Sequence, residues 1–286
     1  MGATTITNAT LTADDVQRFL IMPLQQRSTY LTQPFRMFTS NGEPIKIPSL
    51  TSFGTATFVA QGTAIPEVNA STSEVELLAS SIRSVKVIAR MSRDLDRQSV
   101  VNVESAFGMK LADDVSKVLD NALWNGGTAT TGSPLGMAQF SGSTNAGTVA
   151  DTALTSGHLF DLDEYAYANN LSTEVPGAVR YAMSPNTFTI IRKLTDNYGQ
   201  RVLQPSLQQG APATLLGRPY VVTSHVPDTA LLLFDASQIA VGMDERASIT
   251  ILDQTYAQYD EIAIRVTARY DTKPMNAAAV IKLNIS

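Results

Sequence analysis

Residues 92–137, SRDLDRQSVVNVESAFGMKLADDVSKVLDNALWNGGTATTGSPLGM, decide how this chain is read. The apolar positions Val100, Val103, Phe107, Leu111, Val115, Val118 and Ala122 recur every three or four residues, which lines one face of an α-helix. A helix over 94–124 has about thirty residues and, at about 1.5 Å of rise each, reaches roughly 45 Å. Asn125-Gly126-Gly127 ends it, because glycine adopts the left-handed backbone of helix C-termini at little cost. The short segment Gly132-Ser133-Pro134-Leu135-Gly136-Met137 follows. One long helix in a chain otherwise rich in strand signals reads as an architectural brace.

At 286 residues the chain can hold two domains and bury substantial cores. Its hydrophobic content of 44% is ordinary, but its charged content is only 16%, against about a quarter in a typical soluble protein. Thr, Ser, Asn, Gln and Ala take the place of the missing charge. Surface buried between protein subunits is depleted in Lys and Glu, so this composition fits either a chain with much of its surface covered by other subunits or one with a neutral polar surface. A net charge of −5 and no run of more than two Lys or Arg argue against a dedicated nucleic-acid binder. Containing DNA without adhering to it needs no basic wall. With no cysteine, disulfides, thiolate metal sites and cysteine nucleophiles are excluded. Residues 1–12 have neither a basic start nor an apolar run, so no signal peptide is expected, and 230–234 is too short to span a bilayer.

No chemical site emerges. His158 and His225 are the two histidines, and no Gly-x-Ser-x-Gly accompanies them. Asp161, Asp163 and Glu164 suggest a cation site only until they are placed on a helix, where residues two apart such as Asp161 and Asp163 point to different faces, and the calcium-loop pattern with its central Gly is absent; a solvated face fits better. Gly126, Gly127, Gly132 and Gly136 follow their helix and lack a Lys, the reverse of a phosphate loop. Asp253, Asp260 and Glu261 read as surface carboxylates, and the triplets at Asn8, Asn69 and Asn170 have no meaning without secretion. The expectation is a protein that is not an enzyme, with no catalytic, cofactor-binding or metal site.

Along the chain, the first forty residues read as an arm, with a short helix capped at Thr12. Asn41-Gly42 makes a turn, and 43–78 is extended with little core signal: a long two-stranded loop that packs on something else, or a disordered stretch. Strand character is firm at 84–92. After the long helix, 140–151 reads as a loop. Helices are expected at 158–170 and 186–194, and strands at 179–183, 220–223, 230–234, 239–243, 248–252, 261–270 and 277–285.

This order of elements resembles the major capsid proteins of tailed bacteriophages, which share the Hong Kong 97 fold with encapsulin shells. The most specific residues are Ala122-Leu123-Trp124-Asn125-Gly126 followed by Pro134-Leu135-Gly136. Next come Met183-Ser184-Pro185-Asn186 with Leu194-Thr195-Asp196, and then Leu215-Leu216-Gly217-Arg218-Pro219-Tyr220-Val221-Val222. Phe234-Asp235-Ala236-Ser237, Arg246 and Arg265-Val266-Thr267-Ala268-Arg269-Tyr270-Asp271 complete the set, which covers nearly the whole chain.

The resemblance implies an α+β, Hong Kong 97-type capsid fold. Its parts are an N-terminal arm (1–42), an extended β-hairpin loop (43–84), a β-rich peripheral domain (85–148 and 229–270) carrying a long spine helix (94–124), and an α/β axial domain (149–228 and 271–286). It implies a major capsid protein of a tailed bacteriophage that self-assembles as hexamers and pentamers into an icosahedral shell around double-stranded DNA. The alternative is an encapsulin-like nanocompartment subunit. Implied partners are the chain itself, a separate scaffolding protein, a portal and cement proteins, with no membrane and no specific DNA binding. Implied localisation is the virion, after assembly in the host bacterial cytoplasm. Some relatives cross-link a loop Lys to a peripheral Asn; 55–82 has no Lys and 247–262 no Asn, so that chemistry is not expected. Because the chain opens almost directly on the arm at Met1, the scaffold is expected to be a separate protein.

Overall fold

A computed structural model describes residues 27–52, 58–59, 62, 71–79, 81, 84–92, 103–126, 132–140, 144–150, 153–195, 214–244, 248–252 and 254–286. Several expectations fall outside those residues: the capped helix after Thr12, the first part of the long helix (94–102), Gly127, Asp196, Arg246 and Asp253.

The largest sheet has six strands: β5 (Thr144–Val149), β6 (Val179–Met183), β7 (Thr214–Leu215), β8 (Arg218–Val222), β9 (Ala230–Asp235) and β14 (Val280–Ile285). Its spatial order is β5-β14-β9-β6-β8-β7. Every residue of β9 is buried, as a central strand covered on both faces requires. Successive β9 side chains therefore enter opposite layers. Leu231 and Leu233 join one core, with Leu159, Leu162 and Ala166 of helix α2 (Ser156–Ala168) and Ile191 of helix α3 (Pro185–Lys193). Leu232 and Phe234 join the other, beneath helix α1 (Val103–Asn125), whose Leu111, Val115, Leu119, Leu123 and Trp124 line the facing stripe.

The local chemistry explains the motifs. Ser184 ends β6 and caps α3 by accepting the Thr187 N–H at 3.2 Å, and Pro185 fills the first helical position, where no donor is needed. Leu216 and Gly217 both have positive φ (50° and 77°), the two-residue turn that matches strand twist and joins β7 to β8. Asp235 caps the short turn Ala236–Gln238 through the Ser237 N–H at 2.9 Å.

Two three-stranded sheets complete the body. In one, β1 (Arg36–Ser40) pairs parallel with β10 (Ile239–Asp244), which pairs antiparallel with β13 (Tyr270–Pro274). In the other, β12 (Glu261–Ala268) lies between β11 (Ser248–Leu252) and β4 (Val85–Ser92). β2 (Ile45–Ser52) and β3 (Ser71–Leu77) form a separate antiparallel ribbon of two strands.

Four elements differ from the sequence reading. Residues 144–149, expected in a loop, form strand β5, parallel to the edge of β14. Its TNAGTV composition carries no strand signal; the edge supplies the partner, and the register slips beside Gly147, at φ 118°. Expected strand 261–270 is two strands broken at Arg269, because β12 and β13 belong to different sheets. Expected strand 277–285 begins with a tight turn at Ala277–Ala279, capped by Asn276. The arm also goes further inward than its polar sequence suggests: Tyr30, Leu31 and Phe35 are core residues, and Arg36–Ser40 is a sheet strand.

Candidate functional site

What this architecture offers is a set of joints. The first fastens the arm to the spine. Asp120 projects from α1 into an almost fully buried position, where it accepts the main-chain N–H of Thr29 at 2.7 Å and that of Tyr30 at 3.3 Å. The Ser28 hydroxyl and the Thr29 hydroxyl, at 2.9 Å, donate to the same carboxylate. One turn later the Trp124 indole N–H donates to Thr29 Oγ1 at 3.1 Å. Its ring packs edge-on against Tyr30 at 4.9 Å and Phe234 at 6.0 Å. Burial pushes the Tyr30 phenol well above its usual range, and it hydrogen-bonds Thr272 Oγ1 at 2.6 Å. At the rim, Arg27 pairs with Asp113 at 2.9 Å; that hydrogen bond holds the Asp113 carboxyl below the usual carboxylate range.

The second joint is the end of the spine. A Cβ on Gly126 would lie 2.1 Å from the Ala122 carbonyl oxygen and 2.5 Å from that of Pro134. A Cβ on Gly136 would lie 2.2 Å from the Gly126 nitrogen, and the Gly136 N–H donates to Gly126 O at 3.1 Å. Gly126 is thus required by close approach of two backbone segments. Gly126 does not have positive φ, so it is not itself the left-handed residue of the expected helix end; Gly127 lies outside the described residues.

The third joint is the root of the ribbon. Leu77 and Leu78 are fully buried, and Leu78 sits at φ 55°, a conformation leucine rarely takes. The buried Asp271 carboxylate accepts the Leu78 N–H at 2.8 Å and the Thr272 N–H at 2.9 Å. Arg269 donates to the Leu78 and Ala79 carbonyls at 2.9 and 2.7 Å, with Asp244 3.8 Å away. Burial raises the Asp271 carboxyl above its ordinary range, against the two amide hydrogen bonds and the charges of Lys273 and Arg269. Gly242 lies beneath: a Cβ there would come within 3.1 Å of Leu78. Asp120, Arg269 and Asp271 are thus the structural anchors the sequence reading missed. A lone acid on the apolar side of a helix was the available signal for Asp120.

The residues weighed as chemical candidates are placed as follows. His158 closes a capping box at the start of α2, its Nδ1 accepting the Thr155 N–H at 3.1 Å. Asp163 forms an ion pair with Arg218, while Asp161 and Glu164 are exposed. Asp260 and Glu261 lie at the start of β12, where Glu261 is 3.8 Å from Arg90. Among the described residues no three His, Cys, Asp or Glu are grouped to hold a metal, and no helix is long and apolar enough to cross a membrane.

The spine, the ribbon on its fixed root and the segment 27–35 fastened to the spine are structural joints. The sequence matches the model of the phage capsid family over residues 9–285, and the chain belongs to that family. No curated protein matches it by sequence. Its structure is similar to the capsid of a native GTA particle, with a TM-score of 0.72 and 15% identity, covering 100% of this chain and 94% of that one. It is similar to Mycobacterium phage Adephagia, with a TM-score of 0.71 and 16% identity over 91% of this chain and 90% of that one. For Microbacterium phage Oxtober96 the TM-score is 0.68 and the identity 15%, over 91% of each chain. The α+β, Hong Kong 97-type fold inferred from the order of motifs is therefore the fold of this chain, and the chain is a major capsid protein. The encapsulin alternative is not favoured. The family is one of capsid proteins, and the first of these neighbours is the capsid of a particle.

Proposed function

We propose that this chain is the repeated subunit of an icosahedral phage head, assembling through hexamers and pentamers around double-stranded DNA that it encloses without specific binding. The division of labour follows the sequence segments. Residues 1–42 act as an arm; 43–84 clamp a neighbouring copy; 85–148 and 229–270 form the peripheral domain; 149–228 and 271–286 form the axial domain at the ring centre. A scaffolding protein, a portal and cement proteins are its partners, and shells form in the host bacterial cytoplasm before becoming virions.

The observation that carries this reading is the β2–β3 ribbon. Its two strands pair only with each other among the described strands, and two strands alone are marginal in water. A ribbon rooted on a rigid clasp gains its missing packing from a second copy. Repeated head-to-tail, such a contact closes rings and then a shell.

The test is electron microscopy with nucleic-acid absorbance on the protein expressed alone and with its genomic neighbours. Closed shells tens of nanometres across that contain DNA only with the neighbours are expected. Small uniform shells holding an enzyme would replace the phage reading with a cargo compartment, and a monomer or dimer under every condition would end both.

A further inference from the structure

We infer that α2 of one copy docks its acidic, aromatic face onto the basic end of α3 of the next copy; this rests on the self-assembly proposed above and names a contact within it. The two helices lie in one layer over the same sheet, sharing a core through Leu159, Leu162, Ala166 and Ile191. Their charges are wholly segregated. Helix α2 carries Asp161, Asp163 and Glu164 and no Lys or Arg; α3 carries Arg192 and Lys193 in its last turn and no acid.

Within one chain these charges do not meet. Asp163 is taken by Arg218, whereas Asp161, Glu164, Arg192 and Lys193 are exposed and form no ion pair among the described residues. Here Phe160, Glu164 and Tyr167 step by four and three along one face, and the aromatic rings are 57% and 61% exposed. The Tyr167 ring already carries Arg218 of its own chain, 5.7 Å from the ring centroid. Phe160, flanked by the acids Asp161 and Glu164, fits a partner that brings cations, since Arg and Lys pair with carboxylates and pack on ring faces. The chain itself supplies that partner: Arg192 lies over the Phe188 ring at 5.6 Å, held at the surface beside Lys193. A donor patch and an acceptor patch on different helices of one domain propagate a heterologous contact around a ring.

The test compares assembly of four full-length proteins by sedimentation and negative-stain microscopy, with circular dichroism and melting to confirm folding. These are wild type, Asp161→Lys/Glu164→Lys, Arg192→Glu/Lys193→Glu, and all four changes together. Each reversed pair is expected to reduce shells and rings at least tenfold, and the fourfold variant to recover them. Folded reversed pairs that assemble as well as wild type would overturn the contact while leaving self-assembly intact. So would a folded fourfold variant that stays dispersed. If a reversed helix fails to fold, Asp161→Asn/Glu164→Gln decides: wild-type assembly should weaken as salt rises to 0.5 M and the neutral variant should lose that dependence. Equal salt dependence would overturn the contact. Wild type that never assembles removes self-assembly itself, and this contact with it.

Discussion

Asp120 of the spine accepts the Thr29 N–H at 2.7 Å across a separation of 91 residues, so one carboxylate fastens residues 28–30 to the spine. Its other donors are Ser28, the Thr29 hydroxyl and the Tyr30 N–H. Replacing Asp120 with Ala leaves the two main-chain donors unpaired in a nearly dry site. Hydrogen bonds to a charged group are each worth about 1.5–3 kcal/mol, so a loss of about 3 kcal/mol is expected in urea unfolding. The same variant should be cleaved faster near residues 27–35 by a dilute protease. Unchanged cleavage would mean that the aromatic packing around Trp124 alone holds the arm.

Gly136→Ala tests the joint at the end of the spine. Its Cβ would fall 2.2 Å from a backbone nitrogen, which no rotamer can relieve, so the segment must move away from the helix end. A destabilisation of about 2 kcal/mol or more is expected, in the upper range for overpacking. Gly147→Ala meets no atom within 4 Å and serves as the comparison, its cost arising from positive φ alone. Equal melting temperatures for the two variants would remove the close-approach explanation.

The contrast between these glycines shows what could be read from the sequence. The spine, α2, α3 and most strands were legible because their apolar positions have a period set by their own backbone. The Met183–Asn186 motif was legible because Ser and Pro act locally at a helix start. Strand β5 was not, since its partner β14 lies far along the chain and its own residues carry no pattern. Gly126 was recognised as an end signal, but a side chain is excluded there by two carbonyls, that of Ala122 one turn back in the helix and that of Pro134, which is reached only in the folded chain. The joints were likewise hidden. Arg269 and Asp271 stood in the sequence only as part of the motif that carries the resemblance, and it is the arrival of Leu78 that gives them their role.

Asp235 makes stability depend on pH. Burial acts to raise its carboxyl, but hydrogen bonds from Ser237 and Ser172 outweigh that and set it below the ordinary carboxylate value. A lowered native value stabilises fully above the unfolded value of about 3.9, and that stabilisation is lost as pH falls through the native value. Asp235→Asn should therefore be clearly less stable than wild type at pH 7. The gap between their urea midpoints should close as pH falls below about 3.9 toward pH 2. A gap that stays constant would show that geometry, not charge, is what Asp235 contributes.

Asp271 has the opposite sign, and this makes the ribbon root testable. Burial raises its native value, so the native state takes up a proton before the unfolded state as pH falls. Its ionised form is the costly one near neutrality, and Arg269 is among the charges that support it. Arg269→Ala removes that support together with the two hydrogen bonds to Leu78 and Ala79. The expected loss is about 2–3 kcal/mol at pH 7, because two carbonyls lose a charged donor and two buried carboxylates, Asp271 and Asp244, lose a cation. As pH falls through the raised native value of Asp271 its share of the electrostatic loss disappears, leaving the hydrogen-bond part and that of Asp244. Hydrogen exchange at the amides of 75–79 should report the same loosening locally, with protection reduced at neutral pH and partly recovered in acid. Full protection of the Leu78 amide in the variant would show that the Asp271 carboxylate fixes the root without help from Arg269.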